Sequence, residues 1–393
     1  MISENIKYEL QKKTIFNLKV SAILLIAVLI YIIENYNNTS KVIEKKYAIT
    51  FIQNFFKGDL NNYNYSYING NPNISVIIPL YNCENSIVNT ILSVQIQTLK
   101  NFEIILINDY STDNTSKIVN EMMDKDKRIN IINNLKNMGI LYSRSIGALN
   151  ARGKYIYCLD DDDIFYDQNL FYNIFNIAES HSYDIVEFKC FETKKYSYTI
   201  KLNQIKDSPF NNHLINYTLK QPELGIFPIS KNEKYYSNDY HLWGKSIKTK
   251  IYQQAVNKLT EKHYTFYNCW TEDISMLFII FNLAKSFLFT GIYGIIHFDI
   301  KKSTTYTLNY SKKLMSELFL LNILIEYIQN KEKNKKYIFQ KLKSILKSKY
   351  MPFFNAEHKN YLKFLFDRIT QINILNENEK QILVDYKNVF NIK

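Results

Sequence analysis

A chain of 393 residues with 46% hydrophobic and 22% charged side chains has a globular composition and enough length to bury a full core, which excludes a disordered or fibrous chain. The net charge of +12 invites a nucleic-acid reading, but Lys, Asn, Ile and Tyr are abundant along the whole chain and no dense basic stretch lies between aromatic platforms, so no nucleic-acid partner is expected. Cys83, Cys158, Cys190 and Cys269 form no C-x-x-C pair and no zinc spacing with histidine, which argues against a disulfide framework and leaves buried thiols.

Residues 1–13 read as an amino-terminal tail. Residues 20–33, VSAILLIAVLIYII, carry no charge, and extension back to Ile15 gives 19 residues. That approaches the ~20 that a membrane span needs, with Lys19 near one end, where its stem can reach the headgroups. Glu34, Asn35 and Tyr36 follow in place of a small-x-small cleavage site. An uncleaved, single-pass signal anchor over 14–34 is therefore expected, with a buried core helix as the alternative. Lys7, Lys12, Lys13 and Lys19 precede the centre of the run, and Lys41, Lys45 and Lys46 follow it. That balance marginally favours a cytoplasmic amino terminus and a lumenal or extracytoplasmic remainder, the type II arrangement. Residues 35–72 are polar and Asn- and Tyr-rich, which suits a stalk. N-glycosylation patterns begin at Asn37 and Asn64, but so Asn-rich a chain produces them by chance.

Residues 74–80, ISVIIPL, are a continuous apolar run too short for a helix and rich in β-branched residues, which marks a buried, parallel strand. Pro79 and Asn82 end it. Apolar spacing at Ile87, Ile91 and Val94 predicts a helix over 84–98. Residues 102–109, FEIILIND, form a second buried strand whose carboxyl end delivers Asp109. A helix over 115–124, a strand over 129–132 and a helix over 139–151 follow. A fourth strand, 154–159, ends in Asp160, Asp161, Asp162 and Asp163. Strand-helix alternation at this spacing predicts a doubly wound α/β sheet. Ligands bind outside the carboxyl ends of such strands, so Asn82, Asp109 and the four aspartates should converge on one crevice. Four adjacent carboxylates repel one another, and their folding together predicts a cation there; an oxygen-rich set suits Mn²⁺ or Mg²⁺. Gly139, Gly147 and Gly153 fall within fifteen residues although the chain has only 9 glycines, which predicts special backbone geometry or close packing. Neither a G-x-G-x-x-G fingerprint nor a phosphate-binding P-loop motif is present.

The pieces VIIPLYN at 76–82, FEIILINDYSTDNT at 102–115 and NMGILYSRSIGALNARGKYIYCLDDDD at 137–163 resemble, in order and spacing, the family 2 glycosyltransferases of the GT-A fold. The resemblance implies a GT-A Rossmann-like doubly wound sheet over 73–300. It also implies an inverting enzyme that moves a sugar from a nucleoside-diphosphate sugar, a UDP-sugar foremost, to an acceptor hydroxyl. Hexosyl and N-acetylhexosaminyl transfer are the expected classes. The acceptor would be a glycan, a lipid or a protein-linked group. Carried over by residue, the first-strand loop with Pro79, Tyr81 and Asn82 would help hold the donor. Asp109 would contact its base, and Arg144 the nucleotide. Asp160, with Asp161 beside it, and Asp162 stand at the family's D-x-D, and Asp160 and Asp162 would bind the metal. Asn108 replaces the first residue of the usual aspartate pair, Tyr110 replaces a glycine, and Ser145 an asparagine.

Farther on, HLWGKSIKTKIY at 241–252 resembles the family's Trp-containing segment, and WTEDISMLF at 270–278 its Glu-Asp motif at a helix start. Asp273 then corresponds to the catalytic base. Charge favoured at a helix amino terminus is the alternative reading of Glu272 and Asp273. Trp243, Trp270 and Glu272 are candidate acceptor contacts, with hydrophobic packing an equal reading of both tryptophans. His297 stands near where some GT-A enzymes place a metal ligand; a structural histidine is the favoured reading. Residues 301–393 read as helical, with core packing favoured over membrane-surface helices. The rival functions are an inactive, membrane-anchored sugar-nucleotide-binding scaffold and a nucleotidyltransferase.

Overall fold

The computed structural model describes residues 70–193, 205–207, 217–220, 241–265, 271–298, 310–326, 341–342, 344–346, 355–371 and 377–389, together with Lys46. The anchor expected over 14–34, both glycosylation patterns and nearly all of the stalk lie outside these residues. Among those described, no helix is long and apolar enough to cross a membrane.

The first half alternates as the apolar runs require. Strands β1 (Ile74–Leu80), β2 (Phe102–Asn108), β3 (Ile129–Asn133) and β4 (Tyr155–Cys158) are interleaved with helices α1 (Ile87–Gln95), α2 (Thr115–Lys125) and α3 (Ile140–Asn150). β1 pairs in parallel with β2 and β4, and β2 in parallel with β3. Ile77, Ile105, Ile107 and Ile156 enter the hydrophobic cluster on one side of the sheet. Val76, Ile78, Ile104 and Leu106 enter the one on the other. Burial on both faces is why these strands read as continuous apolar runs rather than alternating ones.

Beyond β4 the sheet departs from the doubly wound expectation. The chain continues through β5 (Ile164–Phe165), α4 (Leu170–Ser180), β6 (Ile185–Thr193), β7 (Ile205–Asp207) and β8 (Tyr217–Lys220). Then follow β9 (Lys245–Lys248), α5 (Thr249–Val256), α6 (Glu261–Thr265), α7 (Glu272–Leu283) and β10 (Ser286–Phe298). The strand order is β3-β2-β1-β4-β9-β6-β10-β5, with β7 on β6 and β8 on β10. β9 lies antiparallel between β4 and β6, so the sheet is mixed. The crossover from β3 back to β4 places a switch point at the carboxyl ends of β1 and β4, where α/β sheets bind ligands.

The three clustered glycines have separate causes. Gly139 has φ +84°, a left-handed backbone that admits α3 directly after a tight loop. A Cβ on Gly147 would lie 2.6 Å from the Ile77 side chain, so this glycine sets how closely α3 approaches the sheet. A Cβ on Gly153 would lie 2.5 Å from the Ser75 backbone nitrogen. Ser75 Oγ accepts from Gly153 N at 2.8 Å and donates to Glu103 at 2.7 Å, which also binds Arg152. Gly153→Ala is expected to cost roughly 1–3 kcal/mol or more, because backbone cannot give way as a side chain can. Gly147→Ala should cost less. Denaturation midpoints of the two variants check the order, and equal midpoints would remove the backbone argument.

The carboxyl-terminal helices are α8 (Tyr310–Glu326), α9 (Ala356–Gln371) and α10 (Glu377–Val389). Leu318, Phe319 and Leu321 of α8 and Leu362, Leu365 and Phe366 of α9 share one buried cluster with Met276, Phe278 and Ile280 of α7. These helices therefore extend the core of the sheet domain. α8 also braces the start of α7, where Thr271 Oγ1 donates to the Ser316 carbonyl at 2.8 Å.

Candidate active site

Two loops, after β1 and after β2, are laced into one rim. Asn82 has φ +53°; its backbone nitrogen donates to Ser111 Oγ at 3.1 Å, and its Oδ1 accepts from Thr112 N at 2.8 Å. Asn108 accepts from Ser111 N at 3.1 Å and closes the turn. Pro79 is buried within β1, opposite Ile107, and acts on the crevice only through the end of its strand. Tyr81 and Tyr110 stand out from the rim, 52% and 55% exposed.

Asp109 is buried, and its carboxylate is used by the chain itself. It accepts from Asn134 Nδ2 at 2.8 Å, Met138 N at 2.7 Å and Gly139 N at 2.8 Å. It therefore pins the loop before α3.

Arg144, on α3, is the hub of the crevice floor. It is 1% exposed, and its guanidinium binds Asp273 directly, Asp160 at 2.5 Å and Glu272 at 3.5 Å. Burial works against its charge, but Asp273, Asp160 and Glu272 outweigh that and hold its pKa well above the ordinary value. Where the family resemblance implies a nucleotide contact, the structure turns this arginine onto three carboxyl groups. It ties the end of β4 to the start of α7.

The aspartate run divides its labour. Asp161 accepts from Tyr81 N at 3.3 Å and links the run back to the first loop. Asp163 is fully buried; it faces His297 Nδ1 at 3.0 Å and accepts from Phe298 N at 3.0 Å, joining the run to β10. His297 is thus engaged by a carboxylate through one ring nitrogen. Asp162 has no hydrogen-bond partner among the described residues. Burial, then Asp163 and its neighbours, push the Asp162 carboxyl up to about 9. Burial and Asp160 push Asp161 up to about 7. Burial works against a charged His297, yet Asp163 outweighs it and pushes its pKa up to about 10.

At the start of α7, Asp273 accepts from Leu242 N at 3.1 Å through the oxygen that Arg144 leaves open. Burial and the adjacent Asp273 push Glu272 up to about 8. Burial also raises Asp273, and Arg144 opposes it. Because Arg144 bonds Asp273 and stands farther from Glu272, the proton of this coupled pair belongs on Glu272.

Trp243 does not offer an open face. It is 3% exposed, with its ring covered by His297 at 5.4 Å and His241 at 4.3 Å between centroids. The expected acceptor platform is thus corrected to a packing residue that supports His297. Trp270 lies outside the described residues.

Among the described residues, six carboxyl groups, on Asp160 to Asp163, Glu272 and Asp273, meet two cationic side chains in direct contact, Arg144 and His297. That excess of acid fits a divalent cation. Among the described residues no three acidic, His or Cys groups converge as a ready-made ligand set. The fit is therefore to an ion held by one or two carboxylates, Asp162 with Asp160, and completed by ligand oxygens, as Mg²⁺ and Mn²⁺ sites commonly are.

Sheet order and crevice together define an α/β protein of the GT-A type. Residues 75–256, a little under half of the chain, match the family model described as Glycosyl transferase family 2, and this part of the chain is a family 2 glycosyltransferase domain. An uncharacterized glycosyltransferase of Rickettsia conorii is 52% identical over 93 residues, 24% of this chain and 15% of the relative. One from Haemophilus influenzae is 42% identical over 99 residues, 25% of this chain and 40% of the relative. Glycosyltransferase GlyG of Streptococcus pneumoniae is 32% identical over 113 residues, 29% of this chain and 37% of the relative. The chain thus spans well under half the length of these curated relatives. Among solved structures, S. aureus TarS 1-349 in complex with UDP superposes with TM-score 0.55 at 14% identity, covering 75% of this chain and 80% of that one. S. aureus TarS 1-349 in complex with UDP-GlcNAc gives TM-score 0.55 at 15% identity, covering 75% and 81%. At such identity the likeness shows the fold.

Proposed function

We propose that this protein transfers a sugar from a nucleoside-diphosphate sugar, a UDP-sugar foremost, to an acceptor hydroxyl, with inversion and with Mn²⁺ or Mg²⁺ bound. The observation that carries this reading is the convergence of the aspartate run of β4 and the acidic start of α7 on Arg144, at the carboxyl ends of parallel strands. The family 2 domain supports it, and so do neighbours of like fold that hold UDP and UDP-GlcNAc. In this reading the acceptor oxygen forms the new bond to the anomeric carbon. The bond from that carbon to the diphosphate oxygen breaks with its electron pair. Asp273 takes the hydroxyl proton. Asp162 and Asp160 would hold the divalent cation, whose charge offsets that of the departing diphosphate. Glu272, protonated, would donate a hydrogen bond to the acceptor. Residues 14–34 would hold the enzyme at a membrane, with its crevice on the extracytoplasmic side.

The full-length protein in detergent tests the reading against a panel of sugar nucleotides with Mn²⁺, Mg²⁺ or chelator. Metal-dependent release of nucleoside diphosphate with transfer of the sugar is the expected result. Release of pyrophosphate instead would mark a nucleotidyltransferase, and binding without turnover over a broad acceptor set a scaffold.

Asp162 supplies a separate check on the cation. Its carboxyl sits above the ordinary value, so its contribution to stability is full below about pH 4 and lost as pH rises through about 9. In chelator at pH 8, Asp162→Asn is therefore expected to melt a few degrees above the parent, and Mn²⁺ should stabilise the parent alone. Equal stabilisation of both proteins by Mn²⁺ would remove Asp162 from the metal site.

A further inference from the structure

The crevice has an acidic floor and an apolar rim. The rim consists of one large exposed side chain just beyond each of three adjacent parallel strands: Tyr81 after β1, Tyr110 after β2 and Leu135 after β3. Tyr110 is the member that the fold does not explain. Its backbone has φ +65°, a left-handed conformation in which a residue with a Cβ is strained and glycine is free. Among the described residues its side chain makes no hydrogen bond or ring contact, and the residue is 55% exposed. The hydrogen bonds that hold the turn come from its neighbours. Asp109 N donates to the Leu80 carbonyl at 2.9 Å, Ser111 N to Asn108, and Thr112 N to Asn82. Glycine at 110 would satisfy every one of them without strain.

The same bonds hold the ring on a fixed frame beside the acidic floor. An exposed aromatic ring without a partner among the described residues, carried on strained but well-tied backbone at the mouth of a crevice, is what a ligand contact requires. An apolar rim over an acidic, cation-fitting floor has the layout of a nucleotide, with a flat base at one end and a charged diphosphate at the other. Asp109, beside Tyr110, already accepts three hydrogen bonds from Asn134, Met138 and Gly139 of its own chain. Little of its carboxylate is left to read a base. A ring face needs no such capacity, because every base presents a π face to stack on.

We propose that Tyr110 is a donor-recognition residue that stacks on the nucleotide base, across the rim from Tyr81, while the diphosphate lies over the aspartate floor. This rests on the glycosyltransferase reading above. It makes Tyr110 a determinant of donor affinity.

Calorimetric titration of the full-length protein with UDP, and separately with inorganic pyrophosphate, both with Mg²⁺, tests it on the parent, Tyr110→Gly and Tyr110→Phe. Tyr110→Gly is expected to weaken UDP about tenfold, within the range for loss of one base–aromatic stack. It should leave pyrophosphate affinity unchanged and melt no lower than the parent, since strain is relieved. Tyr110→Phe keeps the ring and should bind UDP as the parent does. Undiminished UDP affinity in Tyr110→Gly overturns the proposal. Equal weakening of UDP and pyrophosphate also overturns it, because the residue would then act through loop geometry. A parent that binds neither UDP nor any other nucleoside diphosphate instead removes the glycosyltransferase reading beneath it.

Discussion

In chelator, Arg144→Gln is expected to melt on the order of 10 °C below the parent at pH 8 and close to it at pH 5. Arg144 is buried and is the one cation in contact with Asp160, Glu272 and Asp273 among the described residues. Removing one member of a buried charge cluster typically costs about 3–5 kcal/mol, because the remaining charges lose their partner without regaining water. In a domain of this size, each kcal/mol moves the melting point by roughly 2–4 °C. The pH dependence follows from the carboxyl groups. Glu272 already sits at about 8 with the arginine present, and Arg144 opposes the rise of both Glu272 and Asp273. Without it both move higher still. A carboxyl group raised in the folded state gives its full stability at low pH and loses it as pH rises through the raised value. The deficit should therefore grow from pH 5 to pH 8. Arg144→Lys should fall between, since a point charge cannot span Asp160 and Asp273 as the planar guanidinium does. A deficit of equal size at both pH values would mean that the arginine acts through packing volume and not through charge.

Much of this site was legible in the sequence, and the limits of that reading are physical. Strands β1 to β4 were visible because burial on both faces writes an uninterrupted apolar run, and their ends exposed Asn82, Asp109 and the aspartates as one group. The glycine cluster was visible too, and each glycine meets its own constraint. Beyond β4 the signal fades. β6 carries Glu187 and Lys189 among its apolar residues, and β9 is four residues long, so neither reads as a central strand. An antiparallel insertion leaves no mark in local periodicity, which is why the mixed sheet is not legible in the sequence. The pairings that organise the floor are longer in range still. Arg144 and Asp273 are separated by 129 positions, and Asp163 and His297 by 134. Trp243 drew attention as a possible sugar platform because a tryptophan's chemistry is the same in a core and at a surface. Only its burial and the two histidines packed against it decide for the core. Tyr110 reads in the sequence as a departure from a glycine, but its left-handed backbone and its exposure belong to three dimensions.

Asp273→Asn is expected to lower kcat by about 10²–10⁴ while leaving UDP affinity within a few-fold, the loss typical of removing a positioned general base. Asp273 and Glu272 are neighbours at one helix start, so identifying the base means asking which of them is ionised. Arg144 answers through geometry, binding Asp273 directly and standing 3.5 Å from Glu272. Leu242 N adds a second donor to Asp273. Both contacts favour its charged form, although burial resists. Glu272, at about 8, carries a proton at neutral pH and can donate but cannot accept one. Glu272→Gln imitates that neutral group, so it should cost no more than about tenfold at pH 7, far less than Asp273→Asn. The two variants assayed side by side, with UDP titrations to separate binding from turnover, decide the matter. If Glu272→Gln were the slower enzyme with its UDP affinity intact, the proton would pass to Glu272. Asp273 would then serve as a fixed counter-ion to Arg144, which also binds Asp160.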